Sequence, residues 1–365
     1  MQGATRYYSC VRLAMTDVGA AKPRLGFLGL GRIGRMRMQS LLQADAAAVV
    51  ALADPDAASM AAARAMAPNA KVCDSLEQLL AQPLDGLVIA TPNALHYQQA
   101  LVALTAGVAV FCQKPLAVNA SHSRELLATA RGYDRLLAVD WCHRHLRGMQ
   151  RIKQMVQEGA LGDVYALSLA YHNAFGPDRP WFYRRETAGG GCVLDLGGHL
   201  IDLALWLFDY PAVELAAAHC HAGGQWLAAS RDQVEDYASL QLVLADAVTV
   251  DIACSWHLPL GRDADIRIAC HGTRGGAVIG NVNGSFHDFR SERHDGRATE
   301  VLYEPEEEGD WGGRAVLAWV RRLARDAHFD PRVASNVVVA EVIDAVYAHT
   351  LRPSHHVDEN LVTTL

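Results

Sequence analysis

Short apolar runs alternate with amphipathic segments between Arg24 and Asp140, and this alternation constrains the fold more than any other feature. The apolar runs predict strands over Leu25–Leu28, Val49–Ala53, Gly86–Ala90, Val108–Cys112 and Leu136–Val139. The segments between them predict helices over Arg32–Gln43, Ala57–Ala67, Ser75–Ala81, Leu95–Ala106 and Ser121–Arg131. Because short strands separated by helices form βαβ units, we expect an α/β domain with a parallel sheet.

The second half of the chain follows a different pattern, in which longer runs alternate polar and apolar residues. These runs predict a mostly antiparallel sheet with strands over Val164–Tyr171, Val213–His221, Tyr237–Leu244, Val248–Trp256 and Ile266–His271. An apolar helix over Leu194–Phe208 and a closing helix over Val333–His349 complete this prediction. The boundary between the two domains falls near residues 141–162.

Three glycines follow the first predicted strand and open the first predicted helix. Gly29, Gly31 and Gly34 have the spacing G-x-G-x-x-G. In this setting the first permits a tight turn, the second lets the backbone approach a pyrophosphate, and the third lets helix and strand pack closely. The helix N-terminus adds partial positive charge. We therefore predict a dinucleotide site that includes Arg32 and Ile33 of the same loop.

Asp54 ends the second predicted strand, about twenty residues after Gly34. A carboxylate at this point accepts hydrogen bonds from the ribose hydroxyls of adenosine and repels a 2′-phosphate. Pro55 and Asp56 follow, and neither can hold that phosphate. The sequence therefore favours NAD, with NADP the weaker alternative because a loop arginine such as Arg32 can bind a phosphate.

Lys114 is one of only four lysines in the chain and follows a predicted strand in the segment Phe-Cys-Gln-Lys-Pro. Parallel sheets bind ligands at this edge. A partly buried lysine can share a proton, whereas arginine stays charged. A surface lysine whose stem extends over apolar side chains explains the position equally well, so the residues alone leave both interpretations open.

Asp195 and His199 lie four residues apart in the apolar helix that follows a run of three glycines. At this spacing both side chains point from one helix face into the same space. Asp202 lies three residues further on, where it can orient the His199 ring. A buried carboxylate and imidazole are costly unless they are paired or functional, and a structural Asp–His pair remains the alternative.

Composition and charge exclude several other classes of protein. The net charge is −7, and without a cluster of Lys and Arg we expect neither nucleic acid nor a membrane surface as a partner. The eight cysteines form no Cys-x-x-Cys, and residues 1–21 lack an apolar signal core, so we expect a cytoplasmic protein with reduced thiols and an N-terminal extension. The pairs His219/His221 and His143/His145 lack further ligands at a suitable spacing, so we predict no metal.

Four motifs, taken together in this order, resemble the family of glucose–fructose oxidoreductase, inositol dehydrogenase and rhizopine-catabolism proteins (Gfo/Idh/MocA). They are Gly29-x-Gly31-x-x-Gly34, Thr91-Pro92-Asn93-x-x-His96, Gln113-Lys114-Pro115 and Asp195-x-x-x-His199. The resemblance covers about residues 24–350. It implies a Rossmann domain over 22–142, followed over 143–365 by an α/β domain with a large, mostly antiparallel open sheet. The second domain would bind the substrate and build a homodimer or homotetramer.

The resemblance also implies roles for individual residues. Lys114, Asp195 and His199 would converge on the substrate beside the nicotinamide and carry the catalysis. The cofactor would contact, besides the glycine loop and Asp54, a second set of residues: Thr91, Pro92, Asn93, His96, Gln113 and Lys114. The implied activity is hydride transfer between NAD and a carbinol or carbonyl carbon of a sugar, cyclitol or related polyol. His199 would act as general base and Lys114 would polarise the oxygen.

Two positions depart from the family pattern. Gln113 stands where the family usually has Glu, which removes a negative charge beside Lys114. The segment Cys142-His143-Arg144 stands where relatives often have Asn-Arg-Arg, so only Arg144 matches.

Aromatic faces suit sugar rings and an arginine can bind an acid. The predicted substrate contacts are therefore Arg144, His172, Trp181, Asp195 and His199.

Two other functions stay open at this point. One is redox-neutral glycoside cleavage, in which tightly held NAD oxidises the sugar only transiently. The other is a non-catalytic regulator that senses NAD. The presence of Lys114, Asp195 and His199 together argues against the regulator.

Overall fold

The computed structural model describes residues 22–227, 233–245, 247–304 and 312–350. The predicted N-terminal extension, residues 1–21, lies outside the described residues. The described chain forms a six-stranded sheet followed by a nine-stranded sheet. This confirms the predicted order of a parallel sheet and then a large, mostly antiparallel one.

The first sheet is parallel throughout and has the order β3-β2-β1-β4-β5-β6. Its strands are β1 (Arg24–Leu28), β2 (Ala48–Ala53), β3 (Lys71–Val72), β4 (Gly86–Ile89), β5 (Ala109–Cys112) and β6 (Leu137–Val139). The connecting helices are α1 (Arg32–Gln43), α2 (Ala57–Met66), α3 (Leu76–Leu80), α4 (Asn93–Thr105) and α5 (Ala120–Gly132). The strand order reverses between β1 and β4, and at such a switch point the carboxyl ends of the strands open a crevice for a ligand.

The strands of this sheet are short and apolar because helices cover both of its faces. All four residues of β4 and of β5 are buried. A sheet buried on both sides needs continuous apolar runs rather than alternation, which is the pattern that identified these strands in the sequence.

The second sheet has the order β15-β14-β13-β12-β7-β11-β10-β8-β9, and only its β7–β11 pair is parallel. Its strands are β7 (Val164–Asn173), β8 (Val213–Ala222), β9 (Gln225–Trp226), β10 (Tyr237–Leu244), β11 (Val248–Ser255), β12 (Ala264–Gly272), β13 (Gly275–Asn281), β14 (Phe289–Asp295) and β15 (Ala298–Tyr303). Alternate residues of β10 are buried, from Ala238 to Leu244. One face of this sheet therefore packs on the apolar core, as period-two patterning requires.

Helices of the second half are α6 (Arg147–Gln157), α7 (Arg185–Ala188), α8 (Gly198–Leu207), α9 (Gly313–Arg325) and α10 (Ser335–Thr350). The segment Arg185–Leu207 is long and apolar enough to resemble a membrane span, but 89% of its most apolar window is buried inside the protein. It is the core helix of the second domain, where α8 packs against α10 and the sheet.

The sequence analysis did not predict helices α6, α7 and α9 or the strands β3, β9 and β13–β15. Helix α9 lies far along the chain but packs against α1 and β5 of the first sheet. Its buried Val316 and Trp319 complete the core around Phe27 and Phe111. The apolar face of α9 predicts a helix but not the sheet that it covers, because that contact depends on chain distant in sequence.

Candidate active site

The glycine loop between β1 and α1 has the shape that a dinucleotide requires. Gly29 has a φ of +89°, and a Cβ there would lie 2.5 Å from the Ala90 backbone at the end of β4. A Cβ on Gly34 would overlap the Gly29 carbonyl oxygen. Nothing lies within 4 Å of a Cβ built on Gly31, so open space remains where a pyrophosphate approaches. The residues present therefore fit the cofactor.

The Asp54 carboxylate is fixed beside this loop by two backbone hydrogen bonds. The Leu30 N–H donates to Oδ2 at 2.5 Å, and the Asp56 N–H donates to Oδ1 at 2.7 Å. Each oxygen keeps a lone pair for a ribose hydroxyl. Arg32, the loop arginine that could bind the 2′-phosphate of NADP, is exposed at the start of α1.

Replacing Asp54 with Asn is expected to move cofactor preference toward NADP. The amide keeps the shape but loses the charge, so repulsion of the 2′-phosphate disappears and the bonds to the ribose weaken. Hydrogen bonds to charged groups contribute about 1.5–3 kcal/mol, so we expect the ratio of kcat/KM for NADP to that for NAD to rise at least tenfold. Asp56→Asn is the matched control, because its carboxylate caps α2 by accepting from the Ser59 N–H. An unchanged ratio in Asp54→Asn would refute the assignment.

The motif Thr91 to His96 connects the cofactor side to the lysine. His96 is fully buried, and its Nδ1 and Nε2 lie 2.7 and 2.8 Å from the carbonyl oxygens of Pro115 and Thr91. With both nitrogens taken, His96 positions two loops and has no polar atom left for the cofactor, which corrects its predicted role. Asn93 donates to the Ala188 carbonyl at 3.0 Å and so ties α4 to α7. Thr91 and Pro92, which follow β4, remain predicted cofactor contacts.

Lys114 and Asp195 meet directly, although 81 residues separate them. The ammonium donates to the Asp195 carboxylate and to its backbone carbonyl, both at 2.6 Å. Trp256 at the end of β11 donates its indole N–H to the second carboxylate oxygen at 3.2 Å. The two charged side chains are only 16% and 17% exposed. The amine is thus aimed from the first domain at the helix of the second.

His199 lies in the same cluster. Its ring is 4.4 Å from that of His143 and 5.6 Å from that of Trp141, measured between centroids. Burial holds the pKa of His199 well below its ordinary value, and the neighbouring His143 and Lys114 lower it further. The imidazole is therefore neutral at pH 7. Lys114 thus lies close enough to His199 for its charge to act on the ring.

A local irregularity shapes the helix that carries Asp195. Residues Val193–Gly197 form a π-helical turn before α8 begins at Gly198, rather than the continuous α-helix that the sequence predicted. Buried Glu235 accepts the N–H groups of Gly191 and Val193, both at 2.9 Å. Such turns widen the helix at functional sites, and Glu235 holds this one in place.

A buried ion pair lies beneath the site and was not predicted. The Arg37 Nε donates to Asp140 Oδ2 at 2.5 Å, and their side chains are 2% and 0% exposed. The Gln113 amide donates to the same carboxylate oxygen. The negative charge that Gln113 lacks is therefore supplied one strand away, by Asp140. The sequence shows an acid, Asp140, at the end of a predicted strand, but only the fold shows that its partner is Arg37.

Several predicted contacts prove to have other partners. Arg144 binds Asp202 through two N–H groups, and the Tyr210 hydroxyl donates to the same carboxylate at 3.1 Å. The prediction that Asp202 orients His199 is therefore wrong. A guanidinium offers that carboxylate two charge-assisted bonds, which a neutral imidazole cannot match. Arg144 is accordingly a structural residue rather than a free substrate contact.

The predicted substrate contacts His172 and Trp181 have ring neighbours of their own, and Tyr171, next to His172, lies closer to the cluster. Tyr171 lies on the site side of β7, with its ring centroid 5.7 Å from that of His143. His172 is adjacent in the strand and points to the opposite face, where it lies 2.8 Å from the Ser255 hydroxyl and stacks on Tyr237. The structure thus favours Tyr171 over His172 as a substrate contact. Trp181 stacks on Phe182 in the loop after β7.

The comparisons with known proteins agree with this geometry. A family model described as an oxidoreductase family with an NAD-binding Rossmann fold matches residues 24–141, and one described as a GFO/IDH/MocA C-terminal domain matches residues 149–278. The chain belongs to the GFO/IDH/MocA oxidoreductase family. Three predictions from the sequence are therefore confirmed: the Gfo/Idh/MocA family, the NAD-binding Rossmann domain and the oxidoreductase class.

Individual members of the GFO/IDH/MocA family are similar at modest identity. The chain is 30% identical over 345 residues to a putative UDP-kanosamine synthase oxidoreductase subunit of Amycolatopsis mediterranei (strain S699), covering 89% of this chain and 95% of that protein. It is 30% identical over 223 residues to D-glucoside 3-dehydrogenase of Escherichia coli (strain K12), covering 58% of this chain and 63% of that one. GenD2 from gentamicin A biosynthesis, solved with NAD, superposes with a TM-score of 0.73 at 25% identity over 90% of this chain and 94% of that one.

Proposed function

We propose that the protein transfers hydride between NAD and a secondary alcohol or ketone of a sugar, cyclitol or related polyhydroxy compound. One observation supports this most strongly: Lys114 of the first domain contacts Asp195, and its charge acts on His199, at the sheet edge that also carries the glycine loop. These groups stand where a parallel sheet presents its ligands. In this proposal the redox cofactor and the groups that bind and deprotonate the hydroxyl share one crevice.

The side chains divide the chemistry between them. The neutral His199 imidazole accepts the hydroxyl proton as general base. The Lys114 ammonium donates a hydrogen bond to the same oxygen and stabilises its developing negative charge. Asp195, held by Trp256 and Lys114, fixes the ammonium and offers an oxygen to a neighbouring hydroxyl. The nicotinamide ring, when bound, takes or supplies the hydride.

The substrate class rests on the relatives and on the side chains around the cluster. D-glucoside 3-dehydrogenase and the inositol 2-dehydrogenases among the relatives are named for sugars and cyclitols. In this chain Trp181, Phe182 and Tyr183 form an aromatic loop, and the Tyr183 and Trp256 ring centroids are 5.7 Å apart. Aromatic faces beside polar groups suit the two faces of a sugar ring.

A panel of free sugars, methyl glycosides, inositols and sugar acids, each with NAD and with NADP, tests the proposal. We expect reduced nicotinamide to accumulate with at least one polyhydroxy compound and NAD, and to be lost in His199→Ala. A glycoside that is cleaved without net reduced cofactor would show redox-neutral cleavage instead. NAD binding without turnover of any compound would contradict an enzymatic role.

Replacing Gln113 with Glu is expected to give activity that falls as pH rises. The substitution places a second carboxylate against Asp140, where Gln113 now donates its amide hydrogen. Two carboxylates in contact cannot both ionise easily, so the pKa of one rises. The variant is expected to work while that group is protonated and to lose activity and stability above that pKa. The kcat profile from pH 5 to 9 measures this, and Gln113→Glu/Asp140→Asn, which restores a single carboxylate, is expected to recover the original profile.

A further inference from the structure

Cys142, His143 and His199 form a compact cluster beside the proposed catalytic groups. Their possible donor atoms all lie within 4.8 Å of one another, and all three residues are buried. The Cys142 sulfur is 3.7 Å from His143 Nδ1, and the two imidazole rings are 4.4 Å apart at 67°. The sequence did not reveal this set because Cys142 and His143 are separated from His199 by more than fifty residues.

The cluster contains a buried nitrogen that a metal ion could engage. His199 Nδ1 is buried and has no hydrogen-bond partner among the described residues. A buried polar atom without a partner costs about 1–3 kcal/mol. A ligand that engages this nitrogen would remove that cost.

We propose that Cys142, His143 and His199 form a binding site for Zn²⁺. One sulfur and two imidazole nitrogens are donors that zinc prefers, and three protein ligands leave the fourth tetrahedral position to water. The Cys142 thiol releases its proton to solvent when the Zn–S bond forms. Zinc bonds of about 2.0–2.3 Å place neighbouring donors roughly 3.5 Å apart. The sulfur and His143 already meet that spacing, and the widest pair closes by about 1 Å.

The charges around the cluster are balanced before any metal binds. Arg37 and Lys114 act on Cys142, and with Arg144 they also act on His199. Each of these cations is paired with a carboxylate: Arg37 with Asp140, Lys114 with Asp195 and Arg144 with Asp202. The surroundings therefore contribute no net charge, and a divalent ion bound to one thiolate adds a single positive charge.

Occupancy of this site has a consequence that rests on the proposed function. A His199 ring bound to zinc is no longer free to move and take up the hydroxyl proton, so Zn²⁺ acts as a reversible inhibitor. Such a site would couple the activity to the supply of zinc. The binding itself does not depend on the enzymatic role.

Cobalt(II) serves as the spectroscopic probe of the site. The full-length protein is freed of metal with a chelator and titrated with Co²⁺. We expect a thiolate-to-cobalt absorption band that saturates at one equivalent and is displaced by Zn²⁺. Cys142→Ser is expected to lose the band, whereas Cys73→Ser, which changes another buried thiol outside the cluster, is expected to keep it. No band in the unsubstituted protein, or a band that persists in Cys142→Ser, would overturn the site.

Inhibition is measured separately, on the substrate identified by the panel. Zn²⁺ at one equivalent is expected to lower turnover of the unsubstituted protein at least tenfold, with recovery on adding chelator. Turnover of Cys142→Ser, compared with and without zinc in the same protein, is expected to resist the metal. Equal inhibition of both proteins would refute the inhibitory role. If no polyol is turned over, the cobalt band still decides the site, so failure of the proposed function and failure of the metal site are distinguishable.

Discussion

Replacing Lys114 with Met is expected to lower kcat by about 10²–10³-fold while NAD binding changes little. The ammonium is the donor that we place on the reacting oxygen, and removal of one such donor typically costs this much. Met keeps the length and the apolar stem, so the first sheet and its glycine loop stay intact. Steady-state kinetics on the substrate found by the panel measures kcat, and quenching of tryptophan fluorescence measures the NAD affinity.

Lys153→Met is the matched control, because the Lys153 ammonium is likewise held by oxygen atoms of the protein, three in its case. Its ammonium donates to the carbonyls of Trp206 and Leu207 and to Asp209, far from the glycine loop in the sequence. We expect Lys153→Met to lose stability and keep kcat, and Lys114→Met to show the reverse. If Lys114→Met retains turnover, Lys114 only ties the two domains together through Asp195, and the proposed mechanism fails.

Features that depend on local sequence were predictable. The glycine loop follows from the spacing of Gly29, Gly31 and Gly34 after an apolar strand, and the structure gives each the setting that this spacing implies. The caps at Ser75 and Asn119 are likewise local, since each side chain accepts the N–H three residues on. Lys114 needed one more step, the rule that ligands bind at the carboxyl edge of a parallel sheet.

Features that depend on long-range pairing were not predictable from one sequence. Asp202 lies near His199 in the chain, but its carboxylate bonds to Arg144, 58 residues away. The packing of α8 against the segment after β6 decides which cation reaches Asp202. Neither the spacing of residues nor the composition indicates that two distant segments will pack together. The same holds for Asp140, whose partner Arg37 is 103 residues away in α1.

Replacing Arg37 with Met is expected to destabilise the protein by about 3–5 kcal/mol. Burial opposes the charge of Arg37, yet Asp140 and Cys142 together keep its pKa above the ordinary value. Removing one member of a buried pair leaves an uncompensated charge, which is the costly case. The Asp140 carboxylate, fully buried, would keep only the Gln113 amide as a partner among those described here. Urea unfolding followed by far-UV circular dichroism measures the change.

Two further variants separate charge from packing. Arg37→Met/Asp140→Leu removes both charges, and because a buried pair often contributes little net stability, it is expected to be more stable than Arg37→Met alone. Arg24→Met breaks the pair with Asp85, whose side chains are 47% and 40% exposed, and water replaces the lost partner there, so the unfolding midpoint is expected to stay almost unchanged. A double variant no more stable than Arg37→Met would mean that Arg37 acts by filling space between α1 and β6. In that case Asp140 does not need a counter-charge. The interpretation that Asp140 supplies the negative charge that Gln113 lacks beside Lys114 would then be wrong as well.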